Sequence, residues 1–216
     1  MGDMIIQLAV VLGVILVSMT LHEAMHGFIA YWLGDDTARK EGRLTLNPLK
    51  HLDPFLSIIL PLGLALMGGP IFGGAKPVPF RPDQVKGGDW GSALVALGGP
   101  LTNLILAFLA FGVGVVTGLV TADGVQVSVA GNLVATMITV NLGFFVFNIL
   151  PIPPLDGSRF IYALAPEFVR TAMRFIEQFG IMLVFIIVLF AGSFLGTYMG
   201  TIITFFLDAF SVIFRL

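Results

Sequence analysis

The chain has 216 residues, of which 57% are hydrophobic and 11% charged, with a mean hydropathy of +0.99 and a formal net charge of −2. A soluble domain carries about 25% charged residues, so this composition excludes an ordinary soluble protein and predicts an integral membrane one. The absence of cysteine excludes a disulfide framework and a thiolate metal site, and nothing in the sequence points to nucleic acid.

Apolar segments run over about 4–33, 55–72, 92–120, 132–150 and 179–214. The first shows no turn signal before Gly34 and is a helix by length, long enough to cross a hydrocarbon core of ~30 Å. It lacks the basic n-region of a signal peptide. Met1-Gly2 lacks the Ser or Thr at position 6 of a myristoylation signal. This segment is therefore expected to stay in the mature chain. Residues 40–90 hold "RLTL", whose alternation predicts a strand, and "KPVPF", which its prolines keep extended and suited to a sheet edge. Segment 55–72 has basic residues on both flanks. A re-entrant hairpin bent at "LPLGLALMGGP" keeps both flanks on one side, with protein covering the irregular backbone.

Residues 166–178 place Phe168, Val169, Ala172, Met173 and Ile176 on one side and Glu167, Arg170, Arg174 and Glu177 on the other, the pattern of an interfacial amphipathic helix. In the last segment, "AGSFLGTYMG" predicts a tight turn between helices 179–191 and 198–214, or else one tilted helix. The expected fold is an all-α polytopic membrane protein of about 5–6 transmembrane or re-entrant segments with small membrane-associated β strands. It forms a single domain over 1–216, with core helices at about 4–33, 92–120 and 132–150.

All eleven Lys and Arg lie in 39–50, 76–86, 159–174 and at 215, with none in 120–132 or 192–200. By the positive-inside rule the basic segments are cytoplasmic and the N-terminus is outside.

The first helix carries "HEAMH" at 22–26. His22 and His26, four residues apart, share one helical face. Two imidazoles at that spacing can hold one zinc ion, with Glu23 placed as general base. Two histidines bonded to neighbouring helices are the plainer alternative, but three ionisable groups in one turn at membrane depth are costly and mark function. Catalytic zinc takes a third protein ligand. Trp32 stands where a zincin would have its third histidine. His51 and Asp53 in "KHLDP" are candidates, although a loop histidine and a turn aspartate explain them as well. Asp156 in "NILPIPPLDGSR" is the stronger one. Three prolines in four residues unwind the preceding helix, and the unwound stretch can carry Asp156 to the depth of the histidines.

Together, "HEAMH", "NILPIPPLDG", "GGPLTN" (98–103), "GRLTLNPLKHLDP" and "GAKPVPF" resemble the site-2 protease family of intramembrane zinc metalloproteases, in its minimal prokaryotic form without PDZ-like or CBS domains. The resemblance implies one Zn2+ per chain bound by His22, His26 and Asp156. It implies Glu23 as the base acting on water and Asn148 as a donor to the scissile carbonyl or its oxyanion. Asn103 is expected either at the site or as a helix-packing amide. Lys76, Pro77, Val78 and Pro79 are candidates to hold an unwound substrate by β-augmentation. The expected partners are transmembrane or membrane-anchored protein substrates, the lipid bilayer and a possible second copy of the chain. The expected place is a prokaryotic cell membrane, with the active site toward the cytoplasm. A metal-ion transporter and an inactive helix-binding relative are the competing readings.

Overall fold

The computed structural model describes residues 2–59, 62–63 and 74–216. Helix α1 spans Gly2–Trp32. The chain turns at Gly34, whose φ of 107° lies where a side chain is strained. It then forms the short helix α2, Thr37–Lys40. A 3₁₀ turn follows at Pro48–Lys50, with the Asn47 side chain accepting from Leu49 N at 3.0 Å. A π turn follows at Pro54–Ile59. Helix α3, Gly88–Val116, contains Pro100.

A two-residue hairpin joins β1 (Val120–Thr121) to β2 (Gly124–Val125), with Val120 opposite Val125. Helix α4, Val129–Asn148, starts at Ser128, whose hydroxyl accepts from Gly131 N at 3.0 Å. It stops where Pro151, Pro153 and Pro154 withhold the N–H groups a continuing helix needs. Helices α5 (Gly157–Leu164), α6 (Glu167–Glu177) and α7 (Gly180–Phe214) complete the chain.

Four of the described helical stretches are long and apolar enough to cross a membrane: Ile5–Trp32, Gly88–Val116, Val129–Asn148 and Phe190–Phe214. Counting Glu167–Glu177 and Met182–Val188, bent by 90°, as one broken span would make five. The chain is thus an all-α, multi-pass membrane protein. Its outer surface agrees, since Val116, Phe190, Phe194 and Val212 are all exposed, as side chains facing lipid would be. The largest buried cluster joins Ala107 and Phe111 of α3, Ile138 and Leu142 of α4, Phe210 of α7 and Val120 of the hairpin. A second joins Ile15 and Met19 of α1 to Phe144 of α4 and Ala75.

One detail differs from the sequence reading, and of the two alternatives for the last segment the structure has the single helix. The only strands among the described residues are β1 and β2, so "RLTL" is not one. Arg43 N and Leu44 N both bond back to Ala38 O, at 2.8 and 3.2 Å, which curls that stretch against α2 and leaves it no partner strand. In the last segment one helix runs through "AGSFLGTYMG", and its single break is a kink at Ala191 (φ −111°, ψ 15°). The expected hairpin in 55–72 lies largely outside the described residues. The ends of that stretch touch, however. Gly74 N donates to Leu56 O at 3.0 Å, and Ser57 Oγ donates to Gly74 O at 2.7 Å.

Candidate metal centre

Three helix ends meet at one end of the bundle: the C-terminal part of α1, the N-terminal part of α3, and the unwound turn after α4. On α1, His22, Glu23 and His26 are all buried, and one ligand atom from each lies within 4.8 Å of the others. Asp156 enters from the turn after α4. Its Oδ2 lies 3.2 Å from His22 Nε2 and 3.5 Å from His26 Nε2.

The outer nitrogens decide what the inner ones present. His26 Nδ1 is 2.8 Å from the Val95 carbonyl, which can only accept, so this Nδ1 carries the proton. His22 Nδ1 is 2.6 Å from Asn103 Oδ1 and is protonated in the same way. When neutral, both rings turn an Nε2 lone pair toward the Asp156 carboxylate. Asp156 Oδ2 is itself buried and, among the described residues, faces no donor other than these two imidazoles. Such a buried group needs positive charge among its atoms, which a metal ion supplies and which, without one, a proton on an imidazole Nε2 facing Asp156 would supply. Two ligands of a tetrahedral zinc, each ~2.0–2.1 Å from the metal, lie ~3.3 Å apart, close to the two distances found. Helix α3 leaves the room. A Cβ added at Gly99 would sit 2.5 Å from both Nε2 atoms. His22, His26 and Asp156 therefore fit a zinc ion, and the hydrogen bonds to the outer nitrogens are of the kind that fix metal-binding histidines.

Glu23 has a different partner. Its Oε2 accepts from Val78 N at 2.7 Å, which ties the extended stretch 76–79 to α1. Other groups hold the same stretch. Lys76 N donates to His51 O at 2.8 Å, and Arg43 donates to the carbonyls of Lys76 and Pro77 at 2.7 and 3.3 Å. Pro77 and Pro79 have no N–H, so both N–H groups of 76–79 already have partners.

The remaining candidates have local roles. His51 Nε2 donates to Thr45 O at 2.8 Å. Asp53 Oδ1 accepts from Phe55 N and Leu56 N, both at 2.9 Å. Asn148 donates to Phe144 O of its own helix at 3.0 Å, and among the described residues it makes no hydrogen bond to the His22–Glu23–His26–Asp156 group. Sequence reasoning missed Gly99 and Asn141. Asn141 left a signal, as one of three amides, with Asn132 and Asn148, in a largely apolar helix.

The chain is 43% identical over 171 residues to a Bacillus subtilis protein named "Putative zinc metalloprotease YwhC", covering 77% of this chain and 74% of that one. A Mycobacterium tuberculosis protein named "Putative zinc metalloprotease Rip2" is 36% identical over 87% of this chain and 69% of its own length. The protein of the same name from Mycolicibacterium smegmatis is 34% identical over 81% of this chain and 64% of its own. No family model and no solved structure matches the chain. On this extent of identity, and with the histidine–glutamate–histidine turn and Asp156 gathered as described, the chain belongs to the site-2 protease family of zinc metalloproteases.

Proposed function

We propose that this protein is an intramembrane zinc endopeptidase that hydrolyses peptide bonds of transmembrane or membrane-anchored proteins, with one Zn2+ per chain. The observation that carries the reading is the convergence of His22 Nε2, His26 Nε2 and Asp156 Oδ2 beside Glu23 at one end of an apolar helix bundle. His22, His26 and Asp156 would hold the ion, which when bound supplies Lewis acidity to a water and to the scissile carbonyl.

The other steps fall to this chain. Glu23 takes the proton of the attacking water at Oε1, since Oε2 is held by Val78 N, and passes it to the leaving amine. Asn148 uses one of its two amide N–H groups on Phe144 O, which leaves the second to donate to the developing oxyanion. A substrate helix must unwind to expose its carbonyl. Pairing with Lys76–Pro79 would use the carbonyls of Val78 and Pro79, or displace one of the bonds now holding that stretch. The basic residues at 39–50 and 76–86 favour a cytoplasmic orientation of this end of the bundle by the positive-inside rule.

The test is zinc content together with cleavage of a model transmembrane substrate in proteoliposomes, before and after chelation. About one zinc per chain, cleavage lost on chelation and cleavage restored by added zinc support the reading. A zinc-free wild type, or cleavage that chelation does not change, overturns it. Zinc movement across the vesicle without cleavage would favour the transporter.

A further inference from the structure

A chain of buried amides leads away from the metal centre. Asn103 and Asn141 are both 0% exposed, as is Ser18. His22 Nδ1 faces Asn103 Oδ1 at 2.6 Å, Asn103 Nδ2 donates to Asn141 Oδ1 at 2.8 Å, and Asn141 Nδ2 donates to Met137 O at 2.8 Å and to Ser18 Oγ at 2.9 Å. The chain links α3, α4 and α1, three helices long and apolar enough to cross a membrane.

The direction of every bond in it follows from one atom. Met137 O is a backbone carbonyl and can only accept. The amide atom of Asn141 that faces it must therefore be the nitrogen, so its oxygen faces Asn103. The atom that Asn103 offers in return must be its nitrogen, which turns the Asn103 oxygen toward His22. His22 must then carry a proton on Nδ1, and as a neutral ring it keeps Nε2 unprotonated. His26 reaches the same state in one step, through Val95 O.

We propose that Asn141, which among the described residues makes no hydrogen bond to His22, His26 or Asp156, is a positioning residue that sets the tautomer of His22 through Asn103. The carbonyl of Met137 fixes the direction of the relay, and Ser18 supplies a second acceptor for the Asn141 amide. A His22 with its proton on Nε2 would offer N–H where the metal reading needs a lone pair. This inference deepens that reading. A relay partner lost from behind a metal-binding histidine costs ~10–100-fold in metal affinity.

The test uses the full chain, labelled with 15N-histidine, metal-free in detergent, at a pH where the 15N shifts themselves show the rings to be neutral. Wild-type His22 is expected in the Nδ1–H form. In Asn141→Leu, its population is expected to shift toward Nε2–H, while His26, held by Val95 O, stays as in wild type and reports that the helices are intact. Zinc affinity, measured by competition with a chromophoric chelator, falls ~10-fold or more. Asn103→Leu, one bond nearer, gives the same shift. Ser18→Ala leaves Met137 O in place and keeps the wild-type tautomer. A wild-type His22 in the Nε2–H form overturns the proposal. So does an Asn141→Leu protein with wild-type His22 tautomer and zinc affinity, or a Ser18→Ala protein as impaired as Asn141→Leu. A wild type with the Nδ1–H form and no zinc affinity supports the relay and overturns the metal reading instead.

Discussion

Val78 N donates to Glu23 Oε2 at 2.7 Å across 55 residues of sequence, so the side chain assigned to proton transfer also anchors the stretch beside the site. Glu23→Gln separates those two duties. A glutamine oxygen still accepts from Val78 N, and an amide takes no proton from water. The anchor and the zinc should remain, with metal affinity within about twofold of wild type, while cleavage falls by ~10²–10⁴. Zinc titration alongside a cleavage assay reads both. Loss of zinc in Glu23→Gln would show that Glu23 is itself a ligand. Unchanged cleavage would remove it from the chemistry.

Asp156 makes the opposite prediction. It lies in the turn after α4, outside the membrane-spanning helices, and its Oδ2 faces only the two histidine Nε2 atoms, so Asp156→Ala should leave the helical content in detergent close to wild type. Two lone pairs without the carboxylate make a poor zinc site, and affinity should drop by ~100-fold or more, with cleavage lost alongside it. Equilibrium dialysis and circular dichroism check the two halves. A protein that still binds zinc tightly would mean that another group supplies the third ligand.

Asp35 predicts a pH dependence outside the membrane-spanning helices. It is buried just after α1. Its Oδ2 accepts from Arg81 N and its Oδ1 from Thr37 N and Thr37 Oγ1, at 2.5, 2.9 and 2.5 Å. Burial pushes its pKa up, but the Thr37 hydroxyl, the Arg81 and Thr37 N–H groups and the Arg81 charge together hold it below the ordinary 3.8. A carboxyl with a depressed folded pKa stabilises fully above its unfolded pKa, and this contribution is lost as pH falls through the folded one. In Asp35→Asn, one amide face turns N–H toward a donor, which should cost about 1–3 kcal/mol at neutral pH. Thermal melts in detergent should show that gap narrowing as the pH drops below 3.8. A gap that does not change with pH would mean that Asp35 acts by shape alone.

Much of the site was legible because its parts obey local rules. The spacing of His22 and His26 fixes a shared helical face, and the prolines after Leu150 force the helix to end where Asp156 can turn inward. The strands were misplaced for an equally local reason. Alternation in "RLTL" says nothing about a partner, and Arg43 and Leu44 use their N–H groups on Ala38 O instead. The hairpin that does form turns through Ala122 and Asp123 into Gly124, whose φ is 118°, so the Asp-Gly pair at the turn was a signal the sequence carried. The roles of Gly99 and Asn141 depend on which helix passes which, and spacing along one chain cannot show that.

Gly99 gives the sharpest test of the metal space. By helix propensity alone, Gly99→Ala within α3 should stabilise the protein by about 0.8–1.0 kcal/mol. A Cβ there would lie 2.5 Å from Nε2 of both His22 and His26. Both rings are held from behind, by Asn103 and the Val95 carbonyl, so neither can withdraw without breaking a buried bond. The methyl would also fill the space the Nε2 atoms face. Gly99→Ala should therefore fold, judged by its melt and helicity, and bind zinc at least ~10-fold more weakly than wild type. Gly98→Ala is the control. Its nearest obstacle is Ile29 Cδ1 at 2.4 Å, the end of a flexible side chain, so it should lose some stability and keep its zinc. If Gly99→Ala bound zinc as wild type does, the ion would not lie between α1 and α3, and His22 and His26 would be wrongly assigned as its ligands.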